Sequence, residues 1–255
     1  MELTVLGCSG SLCAPDNPAS GYLLKRAGTP TLMLDFGPGV MGAVQRHADP
    51  ATLDLVISHL HADHCLDIPG LLVWRRYHPT APSTQRNLLF GPEDTATHVG
   101  DASADHSKNF DDLSDTFDVR HLSHGMKFTA GGFDIEAIEM VHPCEAYGFR
   151  VQDPDGSGVL AYTGDTAWTD NLIDLARDAD VFMCEATWCG SNDANVPGMH
   201  LDGAEAGRAA RLAGAKHLVL IHIPPYGDAE AAMAAARTEY DGPITLATPG
   251  MEFNI

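Results

Sequence analysis

The segment LVISHLHADHC places His59, His61, Asp63 and His64 within six residues, directly after an apolar run that ends at Ser58. Imidazole nitrogen and carboxylate oxygen are the donors that zinc and similar divalent ions take. Four such groups in one turn exceed what a single tetrahedral site usually draws from one local segment, so two metal ions are implied. The chemistry open to such a pair is hydrolysis, because two cations acidify water and screen the charge that would repel it. His47, His78, His98, His106, His121, His124 and His217 are read as ordinary surface or hydrogen-bonded side chains.

With HxHxDH following a strand, the sequence resembles the metallo-β-lactamase superfamily, and further positions of that family occur downstream in order. His142 follows FDIEAIEMV, Asp165 lies in Thr163-Gly164-Asp165-Thr166 after VLAY, and His222 follows HLVLI. By this resemblance His59, His61 and His142 would hold one metal and Asp63, His64 and His222 the other, with Asp165 bridging them. The resemblance covers essentially the whole chain, including the opening LTVLGCSGS, the LDFGPG turn and the final strands. Dinuclear iron oxidoreductases of the superfamily usually carry an acidic residue where His61 stands. The resemblance therefore implies a hydrolase with two divalent metal ions, Zn2+ favoured and Mn2+ the alternative.

Two further stretches, Cys184-Glu185-Ala186-Thr187 and Gly198-Met199-His200, resemble the tRNA 3′-processing endonuclease (ribonuclease Z) branch and its phosphodiesterase relatives. In that branch a glutamate orients a histidine that faces the scissile phosphate, and these roles carry over to Glu185 and His200. With Asp63 they are the candidate catalytic residues. Cys184 stands where the branch usually has His, and Leu201-Asp202 follow His200 in place of Ser-Thr. A protonated His200 could give its proton to a departing alkoxide as general acid.

The tRNA-cutting members carry a long flexible arm rich in Gly, Pro and basic residues, and no such insertion is found in this sequence. The resemblance then points to a small phosphodiester, a 3′,5′-cyclic nucleotide such as cyclic AMP, hydrolysed to the nucleoside 5′-monophosphate. Precursor tRNA and thioester- or lactone-type substrates are the alternatives within the fold. A non-catalytic metal-binding interaction protein is the alternative of another class. Relatives in this branch are commonly homodimers, which implies a homodimer here. Trp74, Arg75, Arg76 and Tyr77, with Trp168 and Trp188, are secondary candidates for base or phosphate contact; packing is their simpler role.

The elements that must position these groups are legible in outline. Strand-like runs recur at ELTVLG, GYLLKR, TLMLDFG and LDLVISH, then at FDVRHL, MKFTA, FDIEAIEMV, AYGFRVQD and GVLAYTGD, with Pro154-Asp155-Gly156 as a hairpin turn. Helices are expected over Thr169–Asp178, Gly203–Ala213 with Asp202 as cap, and Asp228–Tyr240, interleaved with the buried runs VFMC and KHLVLIH. Residues 91–113 are expected to be loop and short helix. Strands in both halves with helices appended predict a single α/β domain over 1–255, an αβ/βα four-layer sandwich.

Composition excludes several classes. At 44% hydrophobic and 20% charged, 255 residues can bury a core without staples, so disorder is excluded. The 35 acidic against 15 basic residues give a net charge of -20, which repels polyanions; long nucleic acid is not an expected partner. No basic leader, and no apolar stretch of membrane length, is present, so a cytoplasmic protein without membrane contact is expected. Six cysteines without CxxC spacing read as reduced thiols, Cys65 and Cys144 beside the candidate ligands included.

Overall fold

A computed structural model of the chain describes residues 1–106, 109–190 and 196–255. The first half supplies β1 (Glu2–Gly7), β2 (Gly21–Lys25), β3 (Thr31–Leu34), β4 (Leu53–Val56), β5 (Asn87–Gly91) and β6 (Phe117–His121). Side chains of a strand alternate between its two faces, and here both faces are apolar. Leu3, Val5, Tyr22, Leu24, Leu32 and Leu34 enter one core, whereas Leu6, Leu23 and Met33 enter another. A sheet of such strands must be covered on both sides. The outer cover comes from α1 (Val40–Val44), the single turn α2 (Ala62–Cys65) and α3 (Ile68–Tyr77), through Val40, Val44, Ile68, Leu71 and Leu72. A fourth helix, α4 (Thr95–Ser103), adds Val99.

The inner cover is the second sheet, built from β7 (Lys127–Ala130), β8 (Phe133–Glu139), β9 (Tyr147–Gln152), β10 (Val159–Tyr162), β11 (Val181–Glu185), β12 (Leu218–Ile221) and β13 (Ile244–Leu246). Phe133, Ile135, Phe149, Val151, Leu160 and Tyr162 meet the first sheet. Its outer face carries α5 (Asn171–Ala176), α6 (Gly203–Ala213) and α7 (Ala229–Arg237). The last strand, β14 (Glu252–Asn254), returns to pair with β1. The sheets run β14-β1-β2-β3-β4-β5-β6 and β13-β12-β11-β10-β9-β8-β7. The result is the expected four-layer αβ/βα sandwich. Among the described residues no helix is long and apolar enough to cross a membrane.

Strands β3 to β6 are parallel, as are β10 to β13, and each set is interrupted by helical crossovers. Parallel strands discharge their loops at their carboxyl ends, where open α/β sheets bind ligands. The loops after β4, β10, β11 and β12 carry the residues singled out above. Among the elements not anticipated are α1 and β5, each a five-residue run too short for periodicity to separate from loop; α4, at nine residues, lies in the stretch 91–113 where loop and short helix are expected. Residues 107 and 108 of that stretch lie outside the described residues.

Helix α6 starts immediately after the His200-Leu201-Asp202 segment. The Asp202 carboxylate accepts from Glu205 N, and the Glu205 carboxylate accepts from Asp202 N, a complete capping box. The helix then lies on α7 through Gly203, Ala206, Gly207 and Ala210 against Ala232 and Ala236. A Cβ on Gly207 would stand 2.4 Å from the Ala236 carbonyl oxygen, so the close approach requires glycine despite its poor helix propensity. Gly207→Ala should lower stability by about 1–3 kcal/mol through overpacking, read as a lower thermal midpoint. An unchanged midpoint would show that α7 can recede and that the contact is not limiting.

Candidate metal centre

His59 and His61 leave the end of β4, and His142 follows β8, so three rings meet where the two sheets face each other. His61 Nδ1 lies 3.1 Å from His59 Nε2 and 3.0 Å from His142 Nε2. Beside them, Asp63 and His64 from α2 meet His222, which follows β12. His222 Nε2 lies 3.2 Å from His64 Nε2 and 3.0 Å from Asp63 Oδ2. Asp165, after β10, stands between the groups. Its Oδ1 is 3.2 Å from His64 Nε2 and 3.3 Å from His222 Nε2, while its Oδ2 is 3.7 Å from His59 Nε2. All seven side chains singled out in the sequence as metal ligands are thus brought together, in two clusters with one carboxylate facing both.

The donor set fits divalent ions. A tetrahedron with bonds of about 2.0–2.1 Å has edges of roughly 3.3–3.4 Å, close to the separations within the Asp63, His64, Asp165, His222 cluster. Asp165 Oδ1 is buried without a hydrogen bond, although two imidazole nitrogens face it. An orphaned buried oxygen surrounded by nitrogen donors is the arrangement a cation completes.

Partners of the outward ring nitrogens fix which atom each ring offers. Asp35 Oδ2 can only accept, so His64 donates from Nδ1 at 2.7 Å and presents Nε2. Ser58 Oγ gives its proton to Asp35 Oδ2 at 2.7 Å, and therefore accepts from His59 Nδ1 at 3.1 Å. His142 Nδ1 donates to the Met199 carbonyl at 2.8 Å. Thr187 Oγ1 gives its proton to Glu185 Oε2 at 2.7 Å and accepts from His222 Nδ1 at 2.9 Å. Such outer partners set tautomer and ring orientation.

Electrostatics agree with a site that concentrates positive charge. Burial, then the neighbouring His64, pulls His59 well below the usual imidazole range, and burial lowers His61 and His142 as well. Burial also opposes charge on His64, but Asp165 and Asp35 outweigh it and hold His64 well above that range. For Asp63 and Asp165 burial again works against the charge. Hydrogen bonds from His222 and His64 to Asp63, and the charges of His222 and His64 beside Asp165, hold both carboxyls well below their ordinary range. The same carboxylates that favour a charged imidazole at His64 would favour a cation beside it.

The second pair of residues sits against this centre. Glu185 ends β11 fully buried, accepts from Thr166 N at 2.7 Å, and takes a hydrogen bond from His200 Nδ1 at 3.0 Å. His200 Nδ1 is 3.8 Å from Asp165 Oδ2. Burial lowers the His200 imidazole, but the Glu185 charge and hydrogen bond, with Asp165 and Asp63 behind, raise it overall. Trp188 stands edge-on to His200 with ring centroids 5.3 Å apart. Of the other aromatic and basic candidates, Tyr77 is exposed and Trp74 packs on the His78 ring, while three are engaged away from the centre. Arg75 is buried, bound to the Ala51 and Thr116 carbonyls and lying over Phe117; Arg76 pairs with Asp111 and Asp115; and Trp168 is covered by Arg208.

Sequence reasoning passed over Asp35, Ser58, Tyr162 and Thr187. Asp35 had a signal, an acidic residue inside the apolar run TLMLDFG, and Thr187 stands in the Cys184-Glu185-Ala186-Thr187 stretch already quoted; Ser58 and Tyr162 are ordinary strand-end residues with none. Asp35→Asn should weaken metal binding about 10- to 100-fold, the usual cost of losing an outer partner, because His64 loses its anionic acceptor. Competition with a chromogenic chelator measures it. Affinity equal to that of the unaltered protein would mean that His64 is oriented by its cluster alone.

Residues 31–223 match the Beta-lactamase superfamily domain. The chain is 52% identical, over all 255 of its residues and 89% of the other sequence, to an uncharacterized protein of Mycobacterium leprae. It is 30% identical over 253 residues, 98% of each chain, to the probable metallo-hydrolase YhfI of Bacillus subtilis. The crystal structure of YhfI superposes with a TM-score of 0.84 across 99% of this chain and 98% of that one. A ribonuclease Z of Haloarcula marismortui is 26% identical across 99% of this chain and 96% of its own length. With two sheets facing each other across clustered histidines and aspartates suited to metal, the chain belongs to the β-lactamase superfamily and is a metal-dependent hydrolase.

Proposed function

We propose that this protein is a dinuclear metal phosphodiesterase whose substrate is a small phosphodiester, a 3′,5′-cyclic nucleotide. The observation that carries the reading is the Glu185–His200 pair beside Asp165. A departing sugar alkoxide is a strong base and needs a proton as the P–O bond breaks, whereas a departing thiolate needs far less help. A histidine held by a buried carboxylate at the edge of the metal centre suits the first task.

In this reading His59, His61 and His142 hold one ion, Asp63, His64 and His222 the other, and Asp165 faces both. The nitrogen-rich, thiolate-free set favours zinc, with manganese the alternative. When bound, two such cations screen the phosphate and make water a usable nucleophile near neutral pH. Asp165 fixes the spacing of the two clusters. Glu185 holds the His200 ring by Nδ1, so that Nε2 is the atom that gives its proton to the departing oxygen. The net charge of -20 argues against a polyanionic substrate. So does the fate of the basic pairs, since Arg75 is buried, Arg76 is paired with aspartates and Arg26 pairs with Asp153. The alignment to the ribonuclease Z spans 305 positions, more than this chain possesses, so that relative carries segments with no counterpart here.

His200→Ala should lower kcat on a cyclic nucleotide about 10²- to 10⁴-fold while elemental analysis still finds about two metal ions per chain. A substrate releasing p-nitrophenolate should be affected much less, since that leaving group needs no proton; an equal loss on both would refute the donor role. Glu185→Gln removes the largest influence raising His200, so the alkaline limb of the kcat profile should move to lower pH.

The unaltered protein should turn over cyclic AMP with a far higher kcat/KM than a 3′-extended tRNA. The comparison belongs at low salt, where repulsion between an acidic surface and a polyanion is least screened. Efficient tRNA cleavage without cyclic nucleotide turnover would reverse the substrate assignment. Thioester or lactone hydrolysis with neither would replace the phosphodiesterase reading.

A further inference from the structure

Five histidines line the two clusters, and four of them give the ring N–H that points away from the cluster to an oxygen. The acceptors are Ser58 Oγ for His59, Asp35 for His64, the Met199 carbonyl for His142 and Thr187 Oγ1 for His222. His61 is turned the other way. It presents Nδ1 to the cluster, which leaves Nε2 pointing outward, and Cys144 Sγ lies 3.8 Å from that nitrogen.

We propose that Cys144 is the positioning residue of His61, its sulfur accepting the Nε2–H and so holding Nδ1 toward the metal. The inference rests on the metal-centre reading above. It follows from the regularity of the other four rings: wherever a cluster imidazole has an outward N–H, an acceptor stands on it, and for His61 that place is taken by the thiol. Cys144 follows His142 by two residues, so one loop supplies a ring to the cluster and an acceptor to its neighbour. Sulfur is the weakest acceptor of the five, which makes His61 the least firmly held ring. Cys144 and His61 are also only half-buried, whereas His59, His64 and His222 are buried, so this corner is the one a small thiol reagent can reach. The sulfur also lies within 4.8 Å of the ring nitrogens of His59, His61 and His142, and direct ligation is the competing role.

The test uses the whole chain loaded with zinc, and the variants Cys144→Ala, Cys144→Ser and Cys144→Asp. Zinc release to a chelator is followed, together with the thermal midpoint of the metal-free proteins. Cys144→Ala should weaken one of two zinc sites about 10-fold or more, with the metal-free midpoint unchanged. Cys144→Asp, a stronger acceptor, should bind at least as tightly as the unaltered protein, and Cys144→Ser should lie between; this ordering holds even if the alanine variant does not fold. Cobalt-loaded protein should show no thiolate-to-cobalt charge-transfer band. Equal zinc affinity in all four proteins would overturn the role of Cys144 and leave the metal centre standing. A charge-transfer band lost in Cys144→Ala would replace positioning by direct ligation. An unaltered protein that takes up no zinc would overturn both the inference and the reading beneath it.

Discussion

The centre depends on one carboxylate that touches no candidate metal position. Asp35 is fully buried at the end of β3 and accepts from Ser58 N at 2.6 Å, Ser58 Oγ and His64 Nδ1 at 2.7 Å each, and Tyr162 OH at 2.5 Å. A carboxylate in such a place is tolerable only because four donors meet it. Tyr162 comes from β10 in the second sheet, so the same group that orients His64 also ties the two sheets together. The turn that follows is moulded on α2: Phe36 N donates to the His64 carbonyl, and a Cβ on Gly37 would stand 1.9 Å from the Asp63 carbonyl oxygen. Turn and metal motif are therefore parts of one rigid unit.

The layered fold and the cluster His59, His61, Asp63 and His64 could be read from local pattern, and His142, Asp165 and His222 from the resemblance to the metallo-β-lactamase superfamily. Apolar strands end in His or Asp, and those residues keep their spacing whatever the packing. Capping is local as well, which is why Asp202 and the bounds of α6 were recoverable. What could not be read was the ring of outer acceptors. Ser58 and Thr187 matter because of which proton each hydroxyl has already given away, and that is decided by Asp35, 23 residues from Ser58, and by the way the end of β11 turns Glu185 back onto Thr187 and His222. Strand β5 escaped for a related reason, since a short buried run becomes a strand only when β4 and β6 are there to pair with it.

The departures from the ribonuclease Z pattern also have structural places. Cys184 is fully buried among Phe182, Leu218 and the small residues of α6, so it belongs to the outer core. Asp202 serves as the cap of α6 and Leu201 is buried beneath it, which fixes the segment that carries His200 by a route of its own. The acidic surface is likewise organised, with much of the positive charge held in pairs such as Arg211–Glu239, Lys216–Asp180 and Arg76–Asp115.

Asp35 and His222 share one more property: both have left-handed backbones, with φ of 59° and 58°. For residues with a Cβ this conformation costs of order 1 kcal/mol or more each, and here it turns a strand end back on itself so that the side chain re-enters the cleft. Local backbone strain is thus carried at two of the groups on which the centre depends. Glycine at His222 would relax the backbone and delete a working group in the same stroke, whereas glycine at Asp35 would also strip four buried donors of their acceptor. A selection that rewards thermal endurance alone would therefore spare Asp35 and erode His222, leaving a well-folded but inert sandwich.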